Sequence, residues 1–229
     1  SDSHTGLAES DEANFWGKTV RDTLPAERLN ADPNTFFATW TMSASGMAAV
    51  WATENSRDAI AAAFQRREVY GTSGPRMVVR VFGGFGFSPE DARASDIAAT
   101  GYAGGVPMGG DLTEAPAGAA PSFLVHAAKD PEGANLDRIQ MVKGWLDAEG
   151  NQQEKVFDIV WSGDRQVGGD GKLPPVGDTV DRSTALYENS IGAAQLATVW
   201  TDPEFDPDVL AFYYVRVLEI PTPRHSLYD

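Results

Sequence analysis

Residues 137–163, DRIQMVKGWLDAEGNQQEKVFDIVWSG, decide the fold class. Two runs rich in β-branched and aromatic residues flank a four-residue Ala148-Glu149-Gly150-Asn151 connection, the grammar of an antiparallel hairpin. In the first run Ile139, Met141 and Trp145 fall on one face. In the second, Val156, Ile159 and Trp161 keep a looser alternation. Similar strand signals lie on both sides. MVVRVFGGFGF (77–87), with a glycine pair that predicts a bulge, and SFLVHAAKD (122–130) precede the hairpin; ATVWTD (197–202) and LAFYYVRVLEI (210–220) follow it. A Gly/Asp/Pro-rich loop occupies 164–184. Residues from about 76 onward therefore predict an antiparallel β-sandwich.

Upstream the pattern differs. Residues 1–55 predict irregular chain with one or two short helices. ENSRDAIAAAFQRREVY (54–70) predicts a helix: Ser56 is the N-cap, Asp58 lies in the first turn, and Ile60, Ala63 and Phe64 form the apolar stripe. Gln65–Arg67 then sit at the negative end of the helix dipole, as a solvated helix end. GTSGPR (71–76) is expected to end the helix, Gly71 stopping it and Gly74-Pro75 forming a tight turn. One short helix is expected in 88–105.

Composition limits the function. A chain of 229 residues that is 42% hydrophobic and carries six Trp can bury a core. Acidic residues outnumber basic ones 33 to 18, and a net charge of -15 argues against nucleic acid and anionic lipid as partners. No apolar run is long enough to span a membrane. The absence of cysteine removes disulfides and thiolate ligands, and leans toward a periplasmic or secreted protein over a cytoplasmic one.

Few motifs carry chemistry. Asp2-Ser3-His4 presents a carboxylate and an imidazole on one face if the segment is extended, with Ser1, Ser3 and Thr5 as hydroxyl neighbours able to orient them. That donor pair suits zinc, manganese or iron. The alternative is a solvated tail. The GTSGPR turn could cradle an anion through backbone N–H groups and Arg76, or simply connect two elements. GGFGF and GGVPMGGD match neither a dinucleotide nor a P-loop fingerprint. The acidic loops at 164–170 and 200–208 lack EF-hand spacing. Without a G-x-S-x-G elbow, Ser/His/Asp catalysis finds no support. His126 is expected to pack within a strand and His225 to lie at the surface. A non-catalytic sandwich module for carbohydrate or protein binding is the competing reading, with Trp145, Trp161 and Trp200 as stacking candidates, although core packing is the commoner fate of such residues.

SDSHTG, the 49–87 stretch, GYAGGVPMGGDL, the 121–150 stretch and YYVRVLEIPTPRHSLYD together resemble a large bacterial family of unknown function whose members look like distant relatives of the PHP (polymerase and histidinol phosphatase) metal-dependent hydrolases. The resemblance covers essentially the whole chain. It implies an α+β architecture: residues 1–75 would be the closing segment of a PHP-like α/β barrel (strand end, loops and helix), and 76–229 a β-rich, mainly antiparallel sandwich-like C-terminal domain. It implies that Asp2 and His4 are metal ligands for a divalent transition metal, and that Thr72, Ser73 and Arg76 lie on the substrate side; it gives His225 no role. No H-x-H motif occurs, so the remaining ligands would come from an N-terminal PHP-like half, of which this chain would be the internal continuation. The implied activity is hydrolysis of phosphate or related esters of a small anionic substrate by metal-activated water. The oligomeric state stays open.

Overall fold

The computed structural model describes residues 4, 6, 9–30, 32 and 38–228. The first regular unit is a small two-stranded sheet closed by a helix. Strand β1 (Met47–Val50) pairs antiparallel with β2 (Val69–Thr72), and α1 (Arg57–Gln65) connects them. Ser56 caps α1, its Oγ accepting the Ala59 N–H at 3.3 Å, and Asp58 lies in the first turn, as expected. The helix ends earlier than Gly71. Arg67 takes a left-handed φ of 61°, its N–H reaches Phe64 O, and the Glu68 N–H reaches Ala63 O at 3.1 Å. Gly71 lies inside β2 opposite Ala48. Ala63 is buried, but Phe64 faces solvent, so the apolar stripe is narrower than its spacing implied.

Residues beyond 76 form two further antiparallel sheets. β3 (Val78–Gly84), β4 (Val106–Pro107), β5 (Ser122–Ala128) and β8 (Gln195–Thr201) assemble in the order β4-β3-β5-β8. β6 (Leu136–Leu146), β7 (Gln152–Trp161) and β9 (Ala211–Glu219) assemble in the order β7-β6-β9. The expected hairpin is β6–β7. Its turn is set by Asp147, whose Oδ1 accepts the Glu149 and Asn151 N–H groups, while Gly150 adopts a φ of 83°. A bulge between Ile139 and Gln140 explains the loose alternation of β7. Val156 pairs with Val142 on the outer face, whereas Phe157 and Ile159 turn inward. The glycine pair of β3 is not a bulge: its register with β5 runs unbroken from Val78 to Gly84.

The two larger sheets bury one core. Phe123, Val125 and Ala127 of β5 and Leu196 of β8 meet Leu136, Ile139 and Met141 of the three-stranded sheet. Each fully buried large side chain of this kind contributes about 1.5–3 kcal/mol. The opposite face of the four-stranded sheet packs Phe82 and Leu124 against Phe87 and Ile97, under α2 (Ile97–Gly104). Trp200 lies between Phe123 and Phe157, and the Trp161 indole N–H donates to Arg165 O at 2.8 Å. Both are therefore structural. The described residues define a sheet-rich α+β fold with three antiparallel sheets and no closed barrel. Among them, no helix is long and apolar enough to cross a membrane.

Buried charged side chains have partners, as burial requires, and two clusters of them stand out. Glu68 sits under Arg80 (3.1 Å) and Arg66 (3.3 Å) and accepts from the Tyr102 hydroxyl, so Arg66 does more than solvate a helix end. Lys143 donates to Asp202 Oδ2 at 2.6 Å and to Glu204 O at 2.7 Å, and Tyr213 donates to the same carboxylate oxygen at 2.7 Å. Burial would raise the Asp202 pKa, but these donors and the Glu204 N–H hold it below the usual range. Trp145 stands beside this group, lining a pocket of about 210 Å³ with Phe205 and Tyr213.

Candidate functional site

Of the sequence candidates, Thr72, Ser73 and Arg76 lie where the N-terminal segment docks at Ser10, on the loop between β2 and β3. Asp2 lies outside the described residues. His4 is described and exposed; its backbone N–H donates to Lys18 O at 2.7 Å. Lys18 belongs to a turn organised by buried Asp22, whose carboxylate accepts the Lys18 N–H at 3.1 Å, the Thr19 N–H at 2.6 Å and the Thr19 hydroxyl at 2.8 Å. The chain around His4 is thus tied to a built turn.

Glu12 fixes the next stretch. Its Oε1 accepts the Ala44 N–H at 2.7 Å and its Oε2 accepts the His225 N–H at 2.8 Å. Ser45 N–H donates to Glu9 O at 2.8 Å. His225 begins the single turn α3 (His225–Tyr228) and is fully buried, contrary to the surface position expected of it. Its ring lies 4.2 Å from the buried Phe15 ring, and Nδ1 sits 3.4 Å from Glu12 Oε2. The apolar contact with Phe15 draws it inward. His126 lies in β5 as expected, its Nε2 3.4 Å from Gln195 Oε1.

The GTSGPR segment runs directly beneath this stretch. Gly74 has a φ of 143° and abuts Ser10 O so closely that a Cβ there would overlap it. Thr72 ends β2, and its Oγ1 accepts the Gly74 N–H at 3.4 Å. The Arg76 N–H donates to Asp130 Oδ2 at 2.6 Å. Two of the turn's backbone donors are therefore engaged within the protein. Ser73 and the Arg76 side chain are exposed.

Asp130 leads to a carboxyl that the sequence search did not single out. Glu219, at the end of β9, lies over Gly133, and its Oε1 is buried with no hydrogen-bond partner among the described residues. Burial, and then the negative charge of Asp130, push the Glu219 pKa up to about 7; Lys129 and the Ala134 N–H oppose the shift. Asp130 itself is held low. Burial would raise it, but the N–H groups of Arg76 and Glu132 and the charges of Arg76 and Lys129 prevail. Tyr187 is raised by burial and then by Glu219, Tyr228, Asp11 and Asp130; Tyr228 is raised by burial and then by Asp11 and Glu12. The junction is an acidic field that stabilises a proton or a cation. Among the described residues, no group of three or more His, Cys, Asp or Glu side chains converges as a metal cage.

Fold and junction together define a class: a sheet-rich α+β protein whose two larger antiparallel sheets share one core, with an acidic seam where its N-terminal segment docks. The chain belongs to the family described as "Protein of unknown function (DUF3604)", whose model matches residues 1–229. No curated protein and no solved structure matches it.

Proposed function

We propose that this chain is part of a PHP-like metal-dependent hydrolase acting on phosphate or related esters of a small anionic substrate. In this reading residues 1–75 close the barrel, residues 76–229 form the β-rich domain beside it, and the N-terminal half of the protein provides the other metal ligands. The observation that carries the reading is the contact of Ser10 O with Gly74. It supports the reading by bringing the N-terminal segment, at Ser10, against the loop that bears Thr72, Ser73 and Arg76. An exposed imidazole on an anchored backbone suits a ligand contributed to a shared cage, with Asp2 as its partner. A zinc, manganese or iron ion bound there would lower the pKa of its water and offset charge on the leaving oxygens. Arg76, whose side chain is exposed, would hold an anionic group of the substrate. Glu219, whose pKa is raised to about 7 by burial and by Asp130, would add a carboxyl able to hold a proton near neutrality.

The test uses the full-length protein. Metal content measured by plasma mass spectrometry should fall to background in the Asp2→Ala/His4→Ala double variant. Turnover of phosphomonoesters and diesters with added manganese or zinc should fall at least about a hundredfold with it. Arg76→Ala should raise KM about tenfold with metal content unchanged. Unaltered metal content in the double variant would end the proposal.

A further inference from the structure

Among the described residues the outer face of the β7-β6-β9 sheet is open at the end bearing Leu146, Phe212 and Tyr214, whereas Arg138 and Asp158 at the other end are largely covered. Tyr213, Val215 and Val217 of β9 point into the core, so Phe212 and Tyr214 point away from it. They are 62% and 44% exposed, and Leu210 and Leu146 beside them are 95% and 56% exposed. Isolated exposed apolar residues need no explanation, but a contiguous group does. These two rings are also arranged. Phe212 pairs with Gly144, and a Cβ on Gly144 would overlap three atoms of the Phe212 ring. The ring therefore lies down across the neighbouring strand, in space that only glycine leaves free. The Tyr214 ring is parallel to it within 10°, at a centroid distance of 6.3 Å, opposite the fully buried Val142. The result is a two-ring platform laid along the sheet.

We propose that this face binds a neutral polysaccharide, with Phe212 and Tyr214 as the stacking platform. Pyranose rings present flat arrays of C–H groups that pack on aromatic faces, and their hydroxyls seek polar side chains at the rim. Glu154 and Arg216 stand on the same face at opposite edges. Charge selects the occupant. The face carries two cations, Arg138 and Arg216, against two anions, Glu154 and Asp158, so it sums to zero, with Arg138 paired to Asp158 at 3.3 Å. A face with no net charge offers an anionic polymer no attraction, and an uncharged glycan needs none.

Affinity electrophoresis of the full chain in gels containing hydroxyethylcellulose, xylan or galactomannan tests the proposal, with polygalacturonate as the anionic counterpart. At least one neutral polymer should retard the protein. Phe212→Ala and Tyr214→Ala should each weaken retardation about tenfold. Phe64→Ala, on the exposed side of α1, should leave it unchanged. Phe212→Leu keeps an apolar side chain without a ring and should also lose binding, with near-ultraviolet circular dichroism confirming the native fold. Retardation by no neutral polymer, equal retardation by polygalacturonate, or full binding by Phe212→Leu would overturn the proposal. So would a concentration-dependent dimer abolished by Phe212→Ala, which would make a second copy the occupant.

Discussion

Glu219 follows the apolar Val215 and Val217 on the inward parity of β9. That break in alternation is legible in VRVLEI, although nothing in the sequence says that Asp130, about 90 residues earlier, lies beside it. The consequence is pH-dependent stability. With a folded pKa raised to about 7 from 4.5, the stabilisation is full below 4.5 and is lost as pH rises through 7. Asp130 is lowered, so its contribution is lost only at acid pH, outside that window. Glu219→Gln should therefore flatten the stability profile between pH 5 and 8. At pH 8 it should be more stable than the parent by about 1–3 kcal/mol, discounted for partial solvent exposure. Denaturant midpoints at the two pH values measure this, and parallel profiles would remove Glu219 as the cause. The same limit applied to the other site residues. Thr72, Ser73 and Arg76 were legible as a polar turn, but the engagement of the Arg76 N–H by Asp130 depends on a residue 54 positions away.

Elements with strong periodicity were legible, and those defined by their partners were not. α1 announced its cap, and β5, β6, β7, β8 and β9 announced their alternation. β1 escaped because Met-Ala-Ala-Val has no alternation; it is a strand because β2 lies beside it. The glycine pair of β3 read as a bulge, yet Gly83 and Gly84, like Gly101 of α2, are sites of close approach. Gly101 shows the conflict between local and tertiary preference. Alanine in a helix interior is favoured over glycine by about 1 kcal/mol. At position 101, however, a Cβ would overlap the ring of Phe82, which is fully buried. Gly101→Ala should thus destabilise by about 1–3 kcal/mol net despite the better propensity. Adding Phe82→Leu should make Gly101→Ala less costly than it is in the parent background, a coupling visible in a double-mutant cycle. Additive effects would mean that α2 shifts to accommodate the methyl group.

At the scale of the molecule, the N-terminal segment and the C-terminal turn hold each other in place. Glu12 accepts the N–H groups of Ala44 and His225, Phe15 stacks on His225, and Arg224 donates to the carbonyls of Trp40 and Met42. The sequence showed none of this, because Glu12 and Ala44 are 32 positions apart, the partners across the seam are 182–213 apart, and all lie in segments without periodicity. The sandwich core draws on none of them: its buried cluster is built from β5, β6 and β8. Two cooperative units of unequal stability follow from that separation. Glu12→Ala leaves the Ala44 and His225 N–H groups without their acceptor, a loss of about 1–3 kcal/mol for each charged hydrogen bond. In hydrogen-exchange mass spectrometry, peptides covering 9–46 and 221–228 should lose protection by one to two orders of magnitude, while peptides from β5 and β6 keep theirs. Because the GTSGPR turn rests on Ser10, exchange at 72–76 should rise with the N-terminal segment and not with the sandwich. Equal loss across β5 and β6 would show instead that the docked segment is part of the global folding unit, and the seam held by Glu12 would then be as rigid as the core.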